Sequence, residues 1–212
     1  MSEEEKVQNV LKTIQNENNG ESINFVIPRY AAKKIVAYQS IREDLIFCRK
    51  SIDELLNVEY NDTIKTSLFH SIVIIYGKCF TDATSSKSPK LELSDFQNGN
   101  EILLSLHEEI MDVRHNLVAH RGSTEHDFGF AYLSLNIVDL KCQVLVKQLR
   151  RKMFNRERVY GYIVLIEFLI QLVEEKFYKS GVKVWSHLLD NLSPEEFAKL
   201  KIAGPTYTKN NG

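Results

Sequence analysis

Residues 67–80, "SLFHSIVIIYGKCF", decide the fold. Apolar residues recur through and around this stretch at spacings of three and four, and other apolar side chains flank that stripe. A helix that is apolar around most of its circumference belongs in the interior of a folded chain. The pattern therefore predicts the most buried helix of the molecule. Its apolar residues are Ile64, Leu68, Phe69, Ile72, Val73, Ile75, Tyr76, Cys79 and Phe80.

Helical periodicity continues on both sides of this segment. It predicts a short amphipathic helix over residues 3–16 and a long helix with one buried stripe over residues 30–57. A very apolar helix is expected from residue 158 to 178. In "SPEEF", Ser193 can cap a last short helix and Glu196 can complete the capping box.

Residues 81–95 have a loop composition, and another helix follows from Asn98 or Asn100 to a stop at Gly122. Its apolar seam is Leu103, Leu106, Ile110, Val113 and Leu117. Aromatic residues and alternating polarity over residues 128–149 then predict a two-stranded hairpin, with a helix as the competing interpretation of the second half.

These patterns predict a mostly α fold, a helical bundle of about five or six helices with a small β-hairpin after the fourth. No linker divides the chain, so a single domain is expected over residues 1–212, with its core at about 30–180. The tail after residue 204 is expected to be disordered.

Composition narrows the functional classes. The formal net charge is −1 with 26% charged residues, which excludes a generally basic nucleic-acid binder and leaves room for a local basic patch. Cys48, Cys79 and Cys142 lie far apart in apolar segments and are expected to be free, buried thiols in a reducing compartment. The acidic N-terminus is not a secretory signal, and the run "IVIIY" is too short to span a bilayer. A cytoplasmic protein without a membrane partner is expected.

Several common kinds of active site are excluded by their missing motifs. The chain has no phosphate-binding glycine loop, no G-x-S-x-G elbow and no catalytic cysteine context. His107 and His115 are eight residues apart and are expected to share a helix face, but Met111 occupies the position that would complete an H-E-x-x-H pair. We therefore expect neither a metal nor another cofactor.

The stretch "DVRHNLVAHRG", residues 112–122, holds the candidate functional residues. One interpretation is a polar helix end, with Arg114, His120 and Arg121 on the negative pole. However, His120 continues the apolar seam, where both of its ring nitrogens would need partners. On one regular helix, Arg114 and His120 point about 120° apart. A shared site therefore requires an unwound last turn, an arginine side chain that wraps around, or a second copy of the helix.

This stretch resembles the HEPN superfamily (higher eukaryotes and prokaryotes nucleotide-binding), whose mark is an arginine, four to six residues, and a histidine at a helix end. Arg114 and His120 meet that pattern, and "VRHNLVAHRG" is similar to the motif of abortive-infection-type bacterial members. His115 stands where the family more often has asparagine or aspartate, and the asparagine is displaced to Asn116. The long helices before the motif also resemble the family's pattern.

The resemblance implies a metal-independent endoribonuclease that acts as a homodimer, a toxin or phage-defence effector with an antitoxin or partner protein. The substrate 2′-hydroxyl would attack the adjacent phosphate, with His120 as general base or acid and Arg114 holding the phosphate. Asn116 or His115 would position the phosphate or the other histidine. The expected RNA-binding cations are Arg121, Lys147, Arg150, Arg151 and Lys152.

Two other hypotheses remain open from the sequence. The first is a non-catalytic HEPN-like module that binds RNA, a nucleotide or a protein. The second is an unrelated helical regulator in which the motif is a coincidence.

Overall fold

The computed structural model describes residues 1–14, 23–57, 59–81, 88–96, 100–115, 127–135, 142–150, 154 and 156–201. These residues form six α-helices and one antiparallel pair of strands, which confirms the predicted mostly α fold with a hairpin. The elements are α1 (Glu3–Thr13), α2 (Arg29–Leu56), α3 (Asp62–Lys78), α4 (Glu101–Val113), β1 (Asp127–Leu135), β2 (Cys142–Arg150), α5 (Val159–Asn191) and α6 (Pro194–Ala198).

The chain divides into two compact units, one of Met1–Tyr38 with Glu175–Gly212 and one of Gln39–Glu174. The first unit has a small core of Val10, Leu188, Leu189 and Phe197. The Phe197 ring lies edge-on to the rings of Phe25 and Trp185, at centroid distances of 5.0 and 5.4 Å. This core holds α1 and α6 against the end of α5.

The capping box predicted for α6 is confirmed. The backbone N–H of Glu196 donates to the Ser193 hydroxyl at 3.2 Å, and the backbone N–H of Ser193 donates to the Glu196 carboxylate at 2.9 Å. Pro194 occupies the first turn, where its missing N–H costs no hydrogen bond. The sequence pattern therefore specifies both the position and the start of this helix.

The second unit is built around α3. Phe69, Ile72, Val73 and Tyr76 are fully buried on it, in agreement with the expectation for residues 67–80. Helix α2 contacts α3 through Cys48, whose thiol donates to the Ile72 carbonyl at 3.7 Å, and Phe154 lies between Phe69 of α3 and Tyr162 of α5 at ring distances of 4.9 and 4.5 Å. Both α2 and α5 carry a buried apolar stripe. The buried residues of those stripes are Leu45, Cys48, Ile52, Leu55, Tyr162, Leu165, Ile166 and Leu169.

Helix α4 buries the predicted seam through Leu106, Ile110 and Val113. Its regular part ends at Val113, and residues 114 and 115 continue in a wider, π-helical turn. Leu103, at the start of the seam, is half-buried. The last seam residue, Leu117, and the expected stop at Gly122 lie outside the described residues.

The predicted hairpin is confirmed, and the competing helix is not observed. Strands β1 and β2 pair from Asp127 with Arg150 to Leu135 with Cys142. Directly opposed residues share a face, so the hairpin has two distinct surfaces. The apolar hairpin face consists of Ala131, Leu133, Leu135, Cys142, Val144 and Val146, and the lysine hairpin face consists of Phe130, Tyr132, Ser134, Gln143, Leu145 and Lys147.

Two expectations were wrong. Cys48 and Cys79 are buried free thiols, but Cys142 is exposed because the described residues leave its face of the hairpin uncovered. The last long helix does not stop at Tyr178 but continues to Asn191. The helix continues beyond its very apolar part because Leu188 and Leu189 enter the core of the first unit. None of the described helices has an apolar stretch long enough to cross a membrane.

Replacing Ile110 with alanine should lower the free energy of unfolding by roughly 2–5 kcal/mol, because the side chain is fully buried and its loss leaves a cavity. Ile102 of the same helix is 78% exposed, so Ile102→Ala should change stability by at most about 0.5 kcal/mol. Urea unfolding of both variants tests the assignment of the buried face. Equal losses from the two substitutions would contradict it.

Candidate functional site

The motif arginine lies at the contact between α3 and α4. Its backbone N–H donates to the carbonyl oxygens of Ile110 and Met111, and the preceding Val113 is fully buried. The half-buried Arg114 side chain then lies against Gly77 in the last turn of α3. A Cβ atom at residue 77 would lie 1.9 Å from Arg114 Cδ and 2.4 Å from Nε. The arginine therefore occupies space that exists only because residue 77 is glycine.

This placement differs from simple capping of α4 by its own arginine. The Arg114 side chain contacts another helix, and the carbonyl of Gly77 there already has partners. It accepts hydrogen bonds from the Phe80 backbone N–H at 3.2 Å and from the Thr81 hydroxyl at 2.8 Å. The Gly77 carbonyl at the end of α3 is therefore already hydrogen-bonded by residues that follow it in the chain. The contact with Gly77 positions the aliphatic part of the Arg114 side chain, and the guanidinium is not needed to cap α3.

Two other cations of this region are neutralised by carboxylates. Lys78, next to Gly77, forms an ion pair with Asp44 at 2.7 Å. Arg158, which follows the candidate RNA-binding cations Lys147 to Lys152 in the sequence, forms an ion pair with Glu109 at 2.7 Å. Arg158 therefore connects the start of α5 to α4, and its charge is not available in full to an RNA phosphate.

The described residues bring together only part of the predicted site. Arg114 is fixed as above, and His115 is exposed beside it. Lys147 is exposed on the lysine hairpin face, opposite Phe130, and Arg150 pairs through its backbone with Asp127 at the end of the hairpin. The predicted site residues outside the described part of the chain are Asn116, His120, Arg121, Arg151 and Lys152.

His107 belongs to the core rather than to the site. Its side chain is 3% exposed, its Nδ1 shares a hydrogen bond with the Tyr76 hydroxyl at 2.8 Å, and the rings of Phe80 and Phe96 lie 4.3 and 4.9 Å away. Burial lowers the pKa of His107 from 6.5 to about 4. The imidazole is therefore neutral near pH 7 and serves as a buried hydrogen-bonding group.

The expectation that His107 and His115 share a face was wrong. Eight residues turn a regular helix by about 80° beyond two full turns, and the wider turn after Val113 changes the direction further. As a result, one imidazole is buried and the other is exposed. Within the described ranges, no three His, Cys, Asp or Glu side chains are close enough together to hold a metal ion.

An open pocket of about 730 Å³ lies beside His107, between the end of α3, residues 90–94 and α4. Phe80, Leu91 and Met111 provide apolar walls, and Lys90 and Glu108 add charges. Its size suits a small organic molecule. Nothing in the sequence pattern indicated this pocket, because it depends on how an irregular segment packs against two helices.

Gly77 is the functional residue that sequence reasoning missed. A glycine inside a helix costs about 1 kcal/mol relative to alanine, so its presence marks a close approach more often than a need for flexibility. The glycine within the otherwise apolar segment 67–80 was therefore a usable signal. Its partner could not be inferred, because the contact joins residues 37 positions apart in two different helices.

A double-mutant cycle should show coupling between residues 77 and 114. In the native chain, Gly77→Ala gains helix propensity but must displace the Arg114 side chain, so the two effects offset each other. In an Arg114→Ala background the nearest obstructing atoms are gone, and Gly77→Ala should stabilise the protein by about 1 kcal/mol. Urea unfolding of the four proteins measures the coupling.

Gly181 of α5 provides the matched control, because a Cβ there meets no atom within 4 Å. Gly181→Ala should stabilise the protein equally in the native and Arg114→Ala backgrounds. If the effect of Gly77→Ala were likewise independent of residue 114, the contact between the two residues would be refuted.

The buried histidine should make stability depend on pH in a defined window. The pKa of His107 is lower in the folded state than its ordinary 6.5, so the unfolded chain binds the proton first as the pH falls. Its contribution is fully present above about pH 6.5 and is lost toward pH 4, by an amount on the order of 2–3 kcal/mol. His107→Gln should flatten the pH dependence of the unfolding free energy in this window. The control His187→Gln, at an exposed position of α5, should leave the slope as in the native protein, and equal slopes for all three proteins would contradict the prediction.

Comparisons of this chain with models of protein families, with curated proteins and with solved structures find no match.

Proposed function

We propose that the chain is a HEPN-type, metal-independent endoribonuclease that acts as a homodimer in the cytoplasm. The observation that supports this most is the fixed position of Arg114 against Gly77. A surface arginine with no functional role would not need a glycine in the neighbouring buried helix. Because packing holds the aliphatic part of the Arg114 side chain, its guanidinium is preorganised to bind a phosphate through two hydrogen bonds.

The proposed reaction needs only groups of the motif and the RNA. His120 accepts the proton of the 2′-hydroxyl, whose oxygen attacks the adjacent phosphorus. The bond from phosphorus to the 5′-oxygen then breaks, and that oxygen takes a proton from the imidazolium of His120 of the partner subunit. The products are a 2′,3′-cyclic phosphate and a 5′-hydroxyl. Arg114 neutralises the phosphorane, while Asn116 or His115 positions the phosphate or the other histidine.

The lysine hairpin face offers a second contact for single-stranded RNA. Phe130 and Tyr132 are about half exposed, and their ring centroids lie 5.9 Å apart. Exposed Lys147 is directly opposite Phe130. Aromatic rings that stack on bases, combined with cations that contact phosphates, provide binding with little sequence preference. We propose that Arg121, Arg151 and Lys152 extend this contact. The register of Arg150, which pairs with Asp127, places it on the other side of the hairpin.

An RNA-cleaving protein of this kind fits the role of a toxin or phage-defence effector, and such an effector needs control by an antitoxin or another partner protein. The substrate class is RNA, and the reaction is phosphodiester cleavage.

Cleavage of a fluorescent single-stranded RNA in EDTA tests the proposal. His120→Ala should lower the rate by roughly 10²–10⁴-fold, and Arg114→Ala by roughly 10²–10³-fold. Gly77→Ala keeps every motif residue but moves Arg114, so it should lower the rate by about 10- to 100-fold. Gly181→Ala should cleave at the native rate.

The controls separate the competing functions. Native-rate cleavage by both His120→Ala and Arg114→Ala would remove the proposed mechanism. RNA binding without cleavage by the native protein, reduced by Lys147→Ala, would instead support the non-catalytic RNA-binding module. Circular dichroism of each variant confirms that the helices are retained.

A further inference from the structure

The hairpin carries an uncharged, exposed surface on one side. All six residues of the apolar hairpin face are exposed, and Leu133, Leu135, Val144 and Val146 expose 58–71% of their surface. These six residues carry no charge, and the thiol of Cys142 is their one polar side-chain group. Beyond Ala131 and Val146, the register on this side continues with Gly129 and Gln148 and then with Asp127 and Arg150. Contiguous apolar surface of this kind marks an interaction site more often than ordinary surface.

The hairpin also lacks structural support within the described part of the chain. Its sheet has only two strands, so each nine-residue strand has one edge without a neighbouring strand. A two-stranded hairpin is marginally stable in water unless further strands or a packed face support it. Because six apolar side chains line one face, burial of that face is the support that this sequence offers.

We propose that the apolar hairpin face packs against the same face of a second copy of this chain. A twofold interface requires a surface that is complementary to itself. The six residues of the apolar hairpin face meet the requirement, because none of them has a charge that would need an opposite charge on a different partner. The charged pair on this side, Asp127 with Arg150, lies two pairs beyond them and contains one charge of each sign. Its central pair, Leu133 and Val144, is flanked on both sides by apolar pairs, so the pattern remains apolar after a half-turn. Two sheets pack face to face in this way at about 10 Å.

The area is sufficient for a dimer. A leucine or valine exposed to this degree offers roughly 100 Å² of surface, so the six side chains give roughly 500 Å² per copy. Two copies would then bury roughly 1,000 Å², the size at which specific interfaces begin. The opposite, lysine hairpin face would stay open to solvent and to RNA.

Sedimentation velocity of the full chain over a range of concentrations tests the interface. The native protein should sediment as a dimer, and the pair Leu133→Lys with Val144→Lys should raise the dimer dissociation constant by about 100-fold or more, because two lysines per copy would enter the apolar contact. The matched control is Ser134→Lys with Gln143→Lys. It adds the same charges at the adjacent strand pair, one residue away on each strand and on the opposite face, and should remain dimeric.

Hydrogen exchange of the native protein provides a second measurement that needs no variant. Backbone amides of β1 and β2 should be more protected at concentrations where the dimer forms than after dilution. A native protein that stays monomeric at about 100 µM, a dimer that persists in the Leu133→Lys, Val144→Lys variant, or dimerisation without a change in hairpin exchange would each overturn the proposal.

The proposed ribonuclease requires a dimer but does not require that the dimer form through this face. The interface and the chemistry can therefore be refuted separately. A dimer through this face with no RNA cleavage would refute the chemistry and support the interface. RNA cleavage by a protein whose Leu133→Lys, Val144→Lys variant is still dimeric and active would refute the interface and leave the chemistry in place.

Discussion

The Arg114 side chain can lie against α3 only because residue 77 has no Cβ atom. Both residues are at the ends of helices whose apolar faces are buried, Tyr76 beside the glycine and Val113 beside the arginine. The position of the arginine is therefore determined by the core and not by local preferences of an exposed helix end. Any movement of α4 along α3 would bring the stem of Arg114 against larger side chains.

In addition to the contact between Arg114 and Gly77, a hydrogen bond fixes the position of α4 against α3. The hydrogen bond between Tyr76 and His107 lies within an aromatic cluster, seven residues before Arg114 along α4. A buried hydroxyl and a buried imidazole lose free energy if either loses its partner, so this pair disfavours other registers of the two helices. The neutral His107 and Gly77 therefore both hold the end of α4 in one position against α3.

The sequence predicted the features that depend on local pattern. The α4 seam of Leu106, Ile110 and Val113 follows from helical spacing, the hairpin follows from alternation, and Ser193 follows from capping chemistry. Prediction from the sequence failed where a tertiary contact determines the structure. Gly181 is compatible with a helix end, yet α5 continues because Leu188 and Leu189 pack in a core. The contact of Arg114 with Gly77 could not be predicted from α4 alone, because its reason lies in α3.

The wider turn at residues 114 and 115 also changes the reasoning about a dimer. The angle of about 120° between Arg114 and His120 assumes a regular helix through the whole motif. That premise ends at Val113, so the angle gives no reason to prefer a second copy of the helix over a distorted helix end. The case for a second copy now comes from the uncovered apolar face of the hairpin, which is independent of the motif. Because β1 follows the motif directly in the chain, a contact through this hairpin would also restrict where the two motifs can lie.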